Sequence, residues 1–230
     1  MANREESKDQ RRRQIVSAAR ALMQQTGDAG FSMKALADQA GVSLATPYNL
    51  FGSKQAIMFA VLDADLVHYQ RRLEKLRADK LEIFFRAVSL ATARYAKEPA
   101  FYKAVLFAVY NDGGREYRAM FSGPRHAMWC AMVQDAIDAE VLGPGTAADI
   151  FAVHLGRTFF ACILEWVSGE STLAGLEVWV HYGFAVALRG MATPDSAARL
   201  DRKLELLQRR MKRMWRQHLA QSQHSVAASA

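Results

Sequence analysis

The stretch that decides the fold is Ser32-Met33-Lys34-Ala35-Leu36-Ala37-Asp38-Gln39-Ala40-Gly41-Val42-Ser43-Leu44-Ala45-Thr46-Pro47-Tyr48-Asn49-Leu50-Phe51-Gly52-Ser53-Lys54. Its pattern predicts two short helices, about residues 32–39 and 43–50, joined by a turn at Gly41. Glycine there permits a positive φ between helices that cross steeply. Ser43 is placed to cap the second helix and Ser53 to cap a longer one starting at Lys54. Leu36, Ala40, Val42 and Phe51 can close over a neighbouring helix, which leaves the opposite face of residues 43–50 free. A short helix bearing small polar groups fits a major groove roughly 12 Å wide, where each base pair shows a distinct donor and acceptor pattern.

Upstream, Ile15, Ala18, Ala19, Leu22 and Met23 form one apolar helical face, with Ser7 and Gln10 in a capping-box arrangement and Gly27 and Gly30 closing the helix. Downstream, Ile57, Val61 and Leu62 face inward on the helix from Lys54, expected to reach about residue 78. Arg11-Arg12-Arg13 reads either as a solvated helix start or as an arm that meets phosphates or the minor groove.

The run from Arg12 to Asp65 resembles the head of the tetracycline-repressor (TetR) family of bacterial regulators. The resemblance is carried by Gly30-Phe31-Ser32-Met33, Leu36-Ala37, Ala40-Gly41-Val42-Ser43, Tyr48, Phe51 and Ser53-Lys54, and covers about a quarter of the chain. It implies an all-α, ligand-responsive transcriptional regulator, most simply a homodimeric repressor that a small molecule releases from operator DNA. It further implies that Thr46, Tyr48 and Asn49 face DNA, that Tyr48 meets a phosphate, and that Lys34 reaches a base or phosphate. Lys54 would make a backbone contact at a helix start. Ser43 caps the recognition helix, while Leu44 and Ala45 lie early on it, within reach of a thymine methyl. Pro47 departs from the family, which places a large apolar residue there. As roughly the fourth helical residue it is expected to distort the helix, at less than the ~3 kcal/mol of a fully interior proline. Leu50 also departs, standing where His or Tyr is common.

The remainder agrees with a helical body. Strand-like alternation is absent, and apolar residues recur at helical spacing over about residues 81–97, 101–110, 115–142, 146–168, 173–191 and 194–218. Asn111-Asp112-Gly113-Gly114 and Gly143-Pro144-Gly145 are breaks, Gly123-Pro124 an irregularity, Thr193-Pro194 a helix start, and residues 222–230 a frayed tail. The expected domains are residues 1–60, a DNA-binding head; 61–192, a ligand-binding and dimerisation body; and 193–230, a basic helix with its tail. Hydrophobic residues are 51% of the chain and charged residues 23%, which excludes wholesale disorder.

The net charge of +7 sits at the two ends. Residues 1–60 have 8 Lys/Arg against 5 Asp/Glu (+3), residues 61–190 have 14 against 15 (−1), and residues 191–230 have 8 against 3 (+5). In the near-neutral middle, Phe107, Tyr110, Trp129, His154, Phe159 and Trp166 are candidates to line an effector pocket, against the simpler reading of a packed core. Arg157 and Glu165 join His154 as possible polar anchors for an apolar or aromatic effector. The helices across residues 146–191 are apolar almost all round and are expected to form the homodimer interface, with Gly183 and Ala187 permitting close packing. In the last helix Leu200, Leu204, Leu207, Met211 and Met214 make a heptad stripe amid eight Arg and Lys. It reads as a helix docked on the body or, more sharply, as a second contact to DNA or an anionic membrane.

Competing classes fare worse. Gly143-x-Gly145-x-x-Ala148 mimics a dinucleotide fingerprint, but no strand precedes it. No Ser/His/Asp, Cys/His, HExxH or P-loop pattern stands in the sequence, so neither an enzyme nor a cofactor nor a metal is expected. The open alternatives are a ligand-dependent activator and, further off, a helical small-molecule enzyme. Cys130 and Cys162 read as small buried hydrophobes of a cytoplasmic protein. The apolar run 150–167 is interrupted by His154, Arg157 and Glu165, as in a buried helix rather than a membrane span.

Overall fold

The computed structural model describes residues 2–27, 30–111 and 123–228, with side chains described for 5–27, 30–109 and 123–216. The described residues form helices α1 (Ala2–Thr26), α2 (Met33–Ala40), α3 (Ala45–Phe51), α4 (Lys54–Glu74), α5 (Glu82–Tyr95), α6 (Pro99–Asn111), α7 (Gly123–Asp138), α8 (Ala148–Ser168), α9 (Leu173–Met191) and α10 (Pro194–Ala228). The all-α expectation is correct. The turn expected around Gly113, and the helix expected from Arg115, lie largely outside the described residues; helix resumes at Gly123, where the break was expected.

Several helix ends differ from expectation. Helix α1 is already under way at Ala2, so Ser7 is interior and caps nothing. Helix α4 stops at Glu74, short of residue 78. Helix α10 runs to Ala228, through the stretch expected to fray. Thr193 does precede Pro194, but its hydroxyl donates to the Glu140 carbonyl at 2.8 Å, and its N–H to Val141 O at 3.1 Å. It therefore ties the loop after α7 to the start of α10 through an isolated bridge, Leu142 to Ala192.

Two compact units emerge: unit 1, residues 1–75 and 93–125, and unit 2, residues 76–92 and 126–230. In unit 1, α1 packs on α2, α4 and α6. Ile15, Ala19, Met23, Leu36, Ile57, Met58 and Val61 are at most 1% exposed there. Burial of each large apolar side chain contributes about 1.5–3 kcal/mol, far more than the intrinsic propensity of helices as short as α2 and α3. In unit 2, α9 packs against both α8 and α10. Phe84, Phe85, Leu155, Leu176, Phe184, Leu188 and Leu200 are fully buried in that core.

Helix α8 spans 21 residues and is apolar enough to cross a membrane by length and composition alone. Its Phe151, Ala152, Leu155, Phe159, Phe160, Ile163 and Trp166 are buried within unit 2 instead. Gly183 of α9 is used inside the same unit: a Cβ there would lie 2.6 Å from Thr158 Cγ2 of α8. Both cysteines are free thiols of intermediate exposure rather than fully buried ones. Burial, then the Glu165 carboxylate, pushes the Cys162 thiol up to about 11.

Candidate DNA-binding interface and effector body

The interface is built from unit 1. Ser32 Oγ accepts from Ala35 N at 3.0 Å and starts α2, which ends at Gly41 with φ 64°. That left-handed turn lets the Gly41 and Val42 N–H groups close on Asp38 O and Ala37 O. Helix α3 then begins at Ala45 rather than beside Ser43. Ser43 does not cap it with its side chain; its hydroxyl pairs with that of Thr46 at 2.8 Å.

The later start changes the meaning of Pro47. It is the third helical residue, inside the first turn, where a backbone N–H has no intrahelical partner to lose. The helix continues to Phe51, and Pro47 is the buried residue of α3. It therefore occupies the inward position that a large apolar side chain would take. Pro47 falls in the first turn because the helix starts later than the sequence suggested.

With Pro47 turned inward, the solvent face of this segment carries Ser43, Leu44, Ala45, Tyr48 and Asn49, while Thr46 is half-buried. Leu44 is 52% and Tyr48 48% exposed, four residues apart on the same face. Lys34 is exposed on α2. Lys54 behaves differently: its ammonium donates to Phe31 O at 2.7 Å and sits over the Phe31 ring at 4.5 Å. It braces the start of α4, which Ser53 caps through Ala56 N at 3.0 Å.

Two bracing groups escaped the sequence reading. Arg12 donates to Leu50 O at 2.6 Å and lies 5.1 Å from the Phe51 ring, so it anchors the end of α3; Arg11 and Arg13 remain exposed. Asp65 of α4 accepts from Arg20 Nη1 at 2.8 Å, Arg94 Nη2 at 2.6 Å and Tyr102 Oη at 2.7 Å. Burial alone would raise this carboxyl, but the bonds from Tyr102 and Arg20 and the nearby guanidinium charges outweigh it and hold it below its ordinary value. Beside these groups lies an open cleft of about 700 Å³, lined by Arg12, Arg13, Arg20, Phe51, Asp65, His68 and Arg94 among others.

Residues 15–61 match the family model described as bacterial regulatory proteins, tetR family. Residues 15–61 form a TetR-type DNA-binding head. Among curated proteins, no sequence matches it. Solved TetR relatives share its fold. FadR of Thermus thermophilus, a transcriptional repressor solved with lauroyl-CoA, is 18% identical with a TM-score of 0.67, over 79% of this chain and 95% of that one. RolR, solved with resorcinol, is 16% identical with a TM-score of 0.65, over 87% and 95%. A TetR-family regulator from Pectobacterium atrosepticum is 20% identical with a TM-score of 0.62, over 81% and 96%.

The residues expected to line an effector pocket fall into different places. Phe107 belongs to unit 1 and is 52% exposed. Tyr110 lies in α6, with its side chain outside the described set. Trp129, Phe159 and Trp166 are buried in unit 2, and Trp129 packs edge-on against Phe184 with ring centroids 5.5 Å apart. His154 is exposed on α8, stacked on Phe151 at 6.3 Å; Arg157 and Glu165 are exposed on the same helix.

Unit 2 also holds a polar cluster that no motif announced. His181 Nε2 lies 3.0 Å from Phe85 O, and Glu177 accepts from Ser89 Oγ at 2.6 Å and Thr92 Oγ1 at 3.2 Å. Burial pulls the His181 imidazole below its ordinary value, against the raising effects of the Phe85 carbonyl and Glu177.

Proposed function

We propose that this regulator is a homodimeric repressor whose α3 enters the major groove of its operator and leaves when a small apolar or aromatic effector binds in the body. The observation that carries the reading is the common solvent face of Leu44, Ala45, Tyr48 and Asn49, with Pro47 turned to the core. Leu44 and Ala45 would meet thymine methyls, Asn49 a base edge and Tyr48 a phosphate, with Ser43 and Thr46 adding hydroxyls at the helix start. Lys34 supplies a second phosphate or base contact. Lys54 would approach the backbone from the start of α4 while keeping that terminus braced.

Residues 1–60 act as the head, 61–192 as the effector and dimerisation body, and 193–230 as an appended basic helix. Exposed Ile150 of α8 with Trp179 and Val186 of α9, 70%, 43% and 49% exposed, supply apolar surface for a partner copy. The protein would act in the cytoplasm, with neither a membrane nor catalysis involved. The ligands of FadR and RolR supply probes, an acyl-CoA and a dihydroxybenzene.

The test is operator binding with DNA from upstream of the protein's own gene. The wild type should bind it more tightly than mixed-sequence duplex, and Tyr48→Ala with Lys34→Ala should lose that preference while fold and dimer persist. Unchanged preference in the double variant overturns the assignment of the head.

A further inference from the structure

Helix α10 carries more positive charge than docking on unit 2 requires. Its inner face is accounted for: Leu200 and Leu207 are buried, and Leu204, Met211 and Met214 are half-buried. Met214 Cε lies 3.7 Å from where a Cβ on Gly175 of α9 would stand. Three upstream charges of the helix are paired within unit 2: Arg189 of α9 holds Asp201 at 2.6 Å, Arg199 holds Asp79 at 2.7 Å, and Lys203 holds Glu82 at 2.8 Å, while Arg202 is exposed.

The next three turns differ. From Leu206 to Arg216 the sequence has Arg209, Arg210, Lys212, Arg213 and Arg216 and no acid, and all five cations are exposed. Among the described residues, Arg209 alone of the five has a carboxylate within ion-pair reach, Glu205 at 3.8 Å. At about 100° per residue the five fall within an arc of roughly 160°, facing away from the packed stripe, and at about 1.5 Å per residue they occupy about 11 Å of helix.

We infer that this face of α10 is a second nucleic-acid contact, binding the phosphate backbone of duplex DNA without reading its sequence. A dense row of arginines on a straight helix matches a regularly spaced polyanion, and neutralised phosphates release condensed counterions. A membrane fits less well. Leu206 and Trp215, 65% and 62% exposed, are nine residues apart and so point to roughly opposite sides, while the remaining apolar stripe is committed to unit 2. A second copy of the same face would meet it with like charge. The inference rests on the proposed reading that DNA is the partner.

The test replaces Arg209, Arg210, Lys212, Arg213 and Arg216 with Gln in the full chain and follows binding to a mixed-sequence 40-base-pair duplex from 50 to 300 mM salt. The slope of log K against log salt should flatten by about 2 to 4, at roughly 0.9 per phosphate lost, and affinity at 100 mM should fall at least tenfold. An all-Lys replacement of the four arginines should keep the slope, because charge rather than the guanidinium fork provides this contact. If the five-fold variant loses helical signal, Arg210→Gln with Arg213→Gln is measured in its place and should flatten the slope by about 1 to 2.

An unchanged slope overturns the inference, and so does loss of binding to phosphatidylserine vesicles with DNA binding intact. The Tyr48→Ala and Lys34→Ala double variant, run alongside, separates the two readings. If it weakens DNA binding and the α10 variants do not, the second contact alone is wrong. If the wild type binds no duplex, the DNA-binding reading falls with it.

Discussion

Replacing Asp65 with Asn tests what holds unit 1 together. The substitution preserves volume and removes one charge from a carboxylate that accepts three bonds of 2.6–2.8 Å. Each bond involving a charged group is worth about 1.5–3 kcal/mol before screening. Full additivity would overstate the loss. The side chains of Arg20 and Arg94 are 27% and 23% exposed, the Asn oxygen still accepts, and Glu98 retains a bond to Arg20 at 3.0 Å. A loss of about 2–4 kcal/mol follows, below the full range for breaking a buried pair.

All four tryptophans, at positions 129, 166, 179 and 215, belong to unit 2, so their fluorescence reports on the wrong unit. Amide hydrogen exchange in peptides from α1 and α4 is the suitable assay, and protection there should fall about 30- to 900-fold. Because the folded carboxyl titrates below its unfolded value, its contribution is present above about pH 4 and disappears as pH falls through the folded pKa. The gap between wild type and Asp65→Asn should therefore close in acid. A loss under about 1 kcal/mol, or a gap that persists unchanged to pH 2, would refute the reasoning.

Three further outcomes follow from unit 2 and the interface. Gly183→Ala should destabilise unit 2 by about 1–3 kcal/mol in a tryptophan-monitored denaturation, and Thr158→Ser should recover part of that by removing the methyl it strikes; purely additive losses would deny the close approach. The depressed His181 binds a proton more readily when unfolded, so unit 2 should lose stability as pH falls from about 7 through 6.5, and His181→Gln should flatten that dependence. Tyr48→Phe should weaken operator binding about 10- to 150-fold, the worth of one hydrogen bond to a charged phosphate, with no change in melting temperature. Equal affinity of Phe and Tyr would leave the hydroxyl without a role.

The helices were largely legible because one-sided apolar spacing and Gly and Ser punctuation act locally. Gly41 and Ser53 do in the structure what their positions predict. The errors lie where local signals conflict. Ser43 looks like a cap, yet α3 starts two residues later, and that shift alone turned Pro47 from an anticipated defect into an ordinary first-turn residue.

The bracing groups were illegible for a different reason. Arg12 and Leu50 are 38 residues apart, and Asp65 meets partners 45, 29 and 37 residues away. Long charged side chains choose such partners through tertiary geometry, which no periodicity encodes. The arginine run at residues 11–13 illustrates this: the middle member turns to Leu50 while its neighbours stay in solvent.

Pro47 also bears on the kinetics and entropy of recognition. An isolated seven-residue helix is scarcely populated in water, since nucleating the first turn costs more than a few propagation steps return. A ring that fixes φ inside that first turn removes conformations from the unfolded chain, an effect of about 0.4–1 kcal/mol where the geometry is compatible. On the proposed reading, helix α3 meets DNA already ordered, and association need not supply the entropy of folding it. An exchange of Pro47 for a larger apolar residue would preserve the buried contact yet surrender that advance ordering. Its signature would be a slower association rate rather than a faster dissociation.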